Sequence, residues 1–135
     1  MIYFDTDVLV NFYVEQQDIE KHNLAKRLIE QATENGLFFI STHSLNELVF
    51  ALAKCRLNRD EIMQKIVRLY ASEPVSVSFN HFRRATEIAY QVSFHHSSDC
   101  LHTAIAEEFC DELYTFNRSD FQLIRHHTKL KISIL

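Results

Sequence analysis

Glycine and proline are almost missing from this chain of 135 residues, which contains one of each, Gly36 and Pro74. Tight turns consume both residue types, so their scarcity excludes an all-β fold built from many hairpins and also excludes long flexible linkers. A helix-dominated fold is predicted. The three cysteines, Cys55, Cys100 and Cys110, are odd in number and never spaced C-x-x-C. That suggests neither a disulfide framework nor a thiolate zinc site, and points to a reducing compartment. No apolar run approaches the roughly 18 residues of a membrane span. The first residues carry Asp5 and Asp7 without a basic leader, so a cytoplasmic location with no membrane partner is expected. Positive charge is not in excess either. A formal net charge of -4 counts against a protein that grips nucleic acid over its whole surface. A local basic rim remains open: Lys54, Arg56, Arg59, Lys65 and Arg68 concentrate in one region and Arg83-Arg84 in another, although both also read as solvated helix faces.

The chain is rich in apolar residues, at 47% with 11 Phe, enough for one packed core in a single domain over 1–135. Ile2-Tyr3-Phe4 reads as a strand, closed by Asp5-Thr6, either of which can cap a helix carrying Val8, Leu9, Phe12 and Tyr13. Residues 19–32 repeat apolar side chains at three-and-four spacing up to the Asn35-Gly36 stop, and Leu37-Phe38-Phe39-Ile40 reads as a buried parallel strand. A helix with Leu45, Leu48, Val49 and Leu52 follows, then one over 59–71. Val75-Ser76-Val77 reads as a brief strand. Two more amphipathic helices are marked by Phe82, Ala85, Ile88, Ala89 and Val92, and by Leu101, Ala104, Ile105 and Phe109. Leu113-Tyr114-Thr115-Phe116 returns to strand, and 130–135 alternates as a last strand at a sheet edge. Strands separated by helices imply parallel pairing through right-handed crossovers, hence a three-layer α/β/α domain with a mainly parallel sheet. Its core is expected to include Phe4, Leu28, Phe39, Ile40, Leu48, Leu52, Ile66, Val77, Ile88, Ile105 and Tyr114.

Within that frame Asp5, Glu47 and Asp120 each follow a strand and Asp99 opens a helix. Functional crevices of open parallel sheets lie beyond the carboxyl ends of the strands, so one crevice can gather all four. Each has a structural alternative as well. Asp5 or Asp7 can cap the first helix, residues 44–47 match an S-x-x-E capping box, Asp99 can oppose a helix dipole, and Asp120 can serve a turn. Carboxylates brought together repel and raise one another's pKa unless a cation joins them, and oxygen-only ligands suit Mg²⁺ or Mn²⁺. Such an ion serves phosphodiester hydrolysis by acidifying a bound water and neutralising phosphate charge. Thr115 and Asn117 stand where they can position a water, a phosphate or Asp120.

Asp5-Thr6-Asp7-Val8-Leu9, the stretch Ser44-Leu45-Asn46-Glu47-Leu48, the stretch at 99–106 reading D-C-L-H-T-A-I-A, and Thr115-Phe116-Asn117-Arg118-Ser119-Asp120-Phe121 occur in that order. Together they resemble the four motifs of a PIN-domain ribonuclease, over essentially the whole chain. In its compact form the chain resembles the toxin of a VapBC-type toxin–antitoxin pair. The resemblance implies a divalent-metal-dependent endoribonuclease leaving a 5′-phosphate and a 3′-hydroxyl. Asp5 and Asp99 would be the principal metal ligands, and Glu47 and Asp120 would complete the cluster. It also implies an RNA substrate, a cognate antitoxin and a homodimer. A PIN nuclease of RNA processing without an antitoxin, and a catalytically silent PIN-like binding module, are the rival readings. The eight histidines lie outside the family motifs. His95, His96, Asp99 and His102 have helix-compatible spacing for zinc or iron, but no H-D dyad or H-E-x-x-H accompanies them, and a partly exposed or internally bonded state is expected for each. His126-His127 are expected to meet RNA or solvent.

Overall fold

Side chains of the first strand point alternately to two separate cores, and the rest of the architecture follows from that alternation. In the computed structural model, which describes Met1–Leu135, β1 (Ile2–Phe4) sends Tyr3 to one face and Phe4 to the other. It is followed by α1 (Thr6–Tyr13), α2 (Ile19–Glu34), β2 (Phe38–Phe39), α3 (Thr42–Lys54), α4 (Arg59–Leu69), α5 (Phe79–Val92), α6 (Ser97–Phe109), β3 (Glu112–Thr115), α7 (Arg118–Ile124) and β4 (Lys131–Ile134). The sheet order is β2-β1-β3-β4, and every pairing is parallel. The N-terminal strand is therefore internal, hydrogen-bonded on both sides and covered on both faces.

Phe4 packs with Val8 and Leu9 of α1, Ala25 and Ile29 of α2, Leu48 and Leu52 of α3, and Ile66 of α4. Tyr3 and Leu113 pack on the opposite face with Ala85, Ile88 and Ala89 of α5, Ala104 and Ile105 of α6, and Phe121 and Ile124 of α7. The fold is thus the three-layer α/β/α arrangement expected. Local signals set its joints. Asp5 caps α1, Asp18 caps α2, Ser41 caps α3 and Asn58 caps α4, while Gly36, at φ 66°, makes the turn into β2.

Two sequence expectations need correction. The strand expected at Val75-Ser76-Val77 shrinks to one parallel bridge, Ser41 to Val75. Val75 accepts from the Thr42 N–H and donates to the Ile40 carbonyl, but Ser78 already caps α5 three residues on. Too little chain is left for a ladder. Val77 is consequently exposed rather than in the core, and Leu28 and Tyr114 are only half-buried against it.

Candidate active site

The carboxyl ends of β1 and β3 lie side by side, and Asp5 and Thr115, the residues at those ends, touch. The Thr115 hydroxyl donates to Asp5 Oδ2 at 2.8 Å, both groups being buried. Asp5 Oδ1 accepts from the Thr6 N–H at 2.8 Å, so the side chain both caps α1 and faces the crevice. The two roles weighed from the sequence coexist. Asp7, half-buried, accepts the Phe116 N–H at 3.1 Å and so ties α1 to the loop after β3.

That loop delivers Asn117, which caps α7 by accepting the Asp120 N–H at 3.3 Å. Its amide nitrogen donates to Asp120 Oδ2 at 2.9 Å and to Asp99 Oδ2 at 3.2 Å. One side chain therefore holds the acid of the first turn of α6 against the acid of the first turn of α7. His96 Nδ1 stands 3.3 Å from the same Asp120 oxygen, so His96, Asp99 and Asp120 form one group.

Glu47 is placed differently. The Ser44 to Glu47 capping box does not form, because the cap of α3 is Ser41 and Ser44 lies inside the helix. The carboxylate instead takes hydrogen bonds from the Thr6 hydroxyl at 2.6 Å, from the Ser98 hydroxyl, and from His102 Nε2 at 2.7 Å. His102 is fully buried. Its Nε2 also lies 3.6 Å from Asp5 Oδ1, and its Nδ1 lies 2.6 Å from the Tyr3 hydroxyl, which meets Ser41 and Ser44 at 2.9 Å. The acids thus divide into a group around Asn117 and a single Glu47 drawn to histidine, with Asp5 between them.

The histidines at helical spacing do not assemble as one zinc or iron unit, and His102 is internally bonded, in keeping with the expectation for them. His96 and Asp99 meet, but His102 turns into the core and bonds Tyr3 and Glu47 from α6's buried side. His43, one turn before Glu47, joins His102 instead, with ring centroids 4.4 Å apart. His43, Thr6, Ser98 and Tyr3 were not legible as site residues. For His43 the available signal was its i, i+4 relation to Glu47 on α3. The basic residues of the α3–α4 hairpin are not gathered here. Lys54 covers Phe50, and Lys65 covers Tyr13. His126 and His127 are exposed to solvent.

Electrostatics follow from this packing. Burial, then the charge of Asp5 and the nearby Asp120, pushes the Asp99 carboxyl up to about 8. Burial, then Asp5, pushes Asp7 up to about 7, and burial also raises Asp5. For Glu47 burial pulls upward, but the hydrogen bond and charge of His102, with Ser98 and Thr6, prevail and hold it well below the ordinary carboxylate range. His102 moves the other way: burial disfavours its charge, yet Tyr3, Glu47 and Asp5 raise it well above its ordinary value. Asp5, Asp7 and Asp99 are thus buried or half-buried carboxyls that ionise reluctantly. For Asp120 burial is outweighed by Asn117, Asp99, Ser119 and His96, which hold its carboxyl below the ordinary range. Together these oxygens fit a hard divalent cation, which would relieve the crowding.

The carboxylates gather at the carboxyl edge of the parallel sheet, where the functional crevices of such folds lie. The profile of the PIN domain family matches residues 2–126, and the chain belongs to that family. No curated protein matches the chain significantly. No helix is long and apolar enough to cross a membrane.

Proposed function

We propose that the chain is a Mg²⁺- or Mn²⁺-dependent endoribonuclease, the toxin of a VapBC-type toxin–antitoxin pair acting in the cytoplasm. The observation that carries the reading is the convergence of Asp5, Asp99 and Asp120 under the hydrogen bonds of Thr115 and Asn117, inside a PIN domain. Asp5, Asp99 and Asp120 would hold the cation, with Glu47 completing the acidic surroundings. When bound, the ion supplies Lewis acidity to a water and to the scissile phosphate.

The chain's own residues do the positioning. Thr115 fixes Asp5 in one rotamer, and Asn117 keeps Asp99 and Asp120 at a set separation, so the site is preorganised. Asp7 pins the loop that carries Asn117. Asp120 and His96 are the more exposed members and form the side from which an RNA phosphate enters, His96 offering a nitrogen beside Asp120.

Two apolar surfaces support partners. Phe79, Phe82 and Tyr90 are exposed along α5, with Phe94 beyond it. Phe50, Met63, Val67 and Tyr70 are exposed on the α3–α4 hairpin. One such face suits a second copy of the chain and the other an apolar antitoxin helix. The test is cleavage of RNA by purified protein with Mg²⁺ or Mn²⁺, with and without EDTA. Activity that persists in excess EDTA overturns the metal mechanism. A clean monomer at micromolar concentration in light scattering overturns the dimer, and toxicity unchanged by co-expression of the adjacent small gene overturns the antitoxin.

A further inference from the structure

A second set of ligand atoms lies beside the acidic group and differs from it in kind. His43 Nε2 is 3.4 Å from Glu47 Oε1, and His102 Nε2 is 2.7 Å from Glu47 Oε2. One nitrogen from each of the two imidazoles and one carboxylate oxygen lie within 4.8 Å of one another. Two nitrogens and one oxygen make a donor set that Mg²⁺ accepts poorly and that zinc-class ions favour.

The surroundings complete it. A ligating imidazole ordinarily gives its other ring N–H to a fixed acceptor, which sets the tautomer. Tyr3 Oη is that acceptor for His102 Nδ1, at 2.6 Å and wholly buried, and Tyr3 can pass its own hydrogen to Ser41 or Ser44. With Nδ1–H so engaged, loss of the Nε2 proton to an incoming ion leaves a lone pair directed toward Glu47 and His43. The hydroxyls of Thr6 and Ser98 reach the same carboxylate and add oxygen donors at the rim. His43 is partly exposed, with 17% of its side chain accessible, so an ion has a way in.

We propose that His43, Glu47 and His102 form a second cation site, which takes a borderline transition ion of the Zn²⁺ or Co²⁺ class in preference to Mg²⁺. The ion replaces the hydrogen that His102 Nε2 shares with Glu47, and that proton leaves to solvent. Three protein ligands leave coordination positions open to solvent. The site rests on its histidines and does not depend on the nuclease reading.

The test titrates the purified full chain with Co²⁺ in saturating Mg²⁺, following the visible absorption of low-coordinate Co²⁺. One equivalent is expected to bind and to be displaced by Zn²⁺ but not by further Mg²⁺. Tyr3→Phe is expected to weaken Co²⁺ by about 10-fold, the order of loss on removing a ligand's partner, and His43→Gln by more than that. Both variants should keep the Mg²⁺-dependent rise in melting temperature. In the wild-type chain, which needs no variant to fold, Zn²⁺ should shift the ring ¹⁵N resonances of His43 and His102 in Mg²⁺. Co²⁺ displaced by Mg²⁺, equal Co²⁺ binding by wild type and a folded His43→Gln, or unmoved ring resonances would each overturn the site. A chain that binds Co²⁺ as described yet cleaves no RNA refutes the proposed function and leaves this site standing.

Discussion

Asn117 shows how much of the crevice depends on a single neutral side chain. Its oxygen caps α7 and its nitrogen stands between two carboxylates. Asn117→Asp keeps the capping oxygen but puts a third acid against Asp99 and Asp120. The metal-free chain should lose stability, and added Mg²⁺ should recover much of it. Asn117→Ala should instead lose about 0.5–2 kcal/mol through the missing cap, with less response to metal. Melting curves with and without Mg²⁺ separate the two outcomes. Asp5 and Asp99 separate in the same way. Asp99→Asn removes a charge whose burial is costly, so it should stabilise the metal-free chain while abolishing cleavage and the Mg²⁺-dependent rise in melting temperature. Asp5→Asn should abolish cleavage too, with a smaller gain, because burial disfavours the Asp5 charge as it does that of Asp99 but the amide has one oxygen where the carboxylate accepts from both Thr6 and Thr115. Full RNase activity in either variant would defeat the assignment.

At the scale of elements, three secondary structures meet through one hydroxyl. Tyr3 on β1 bonds His102 of α6, Ser44 of α3 and the cap residue Ser41. Tyr3→Phe leaves the ring packing against Phe39 but strips buried groups of a partner, for an expected loss of about 1–3 kcal/mol in denaturant unfolding. A loss below a few tenths would mean that the network relaxes without the hydroxyl. This junction marks the limit of the sequence reading. Periodicity exposed the strands and helices because burial acts on every third, fourth or second residue, and Phe4, Leu48 and Ile105 fall where it puts them. The nearness of Asp5 and Asp120 was legible because strand ends of a parallel sheet share one edge, whereas Asp99 arrives from a helix start and is tied in through Asn117. Nothing local said that Glu47 would turn to His102, 55 residues away in sequence. Nor did Val75-Ser76-Val77 show that a cap at Ser78 would cut its strand short. Both depend on which neighbours the tertiary fold brings, and a side chain's own window does not contain them.

For the whole molecule these groups fix how stability depends on pH. Asp99 is raised from an ordinary 3.8 to about 8, and Asp7 from 3.8 to about 7. Between about pH 4 and pH 8 the unfolded chain has ionised these carboxyls while the folded chain still holds their protons. The native state then binds more protons, so stability falls as pH rises through that window. His102 acts in the same sense: raised above its ordinary 6.5, it contributes stability that is complete below that value and is lost as pH climbs through its folded value. Glu47, held below its ordinary 4.5, adds stability present above 4.5 and lost only in stronger acid, outside most of this range. The metal-free chain should therefore melt at progressively lower temperature from about pH 5 to about pH 8. A divalent ion binds the ionised carboxylates of the folded chain, so with Mg²⁺ or Mn²⁺ the decline should flatten and the gap between the curves should widen with pH. Asp99→Asn should flatten the metal-free curve without any ion. Calorimetry in EDTA and in Mg²⁺ across this range checks all three expectations. A metal-free melting temperature that rises toward pH 8 would show that the crowding of Asp5, Asp7 and Asp99 does not govern the fold's stability.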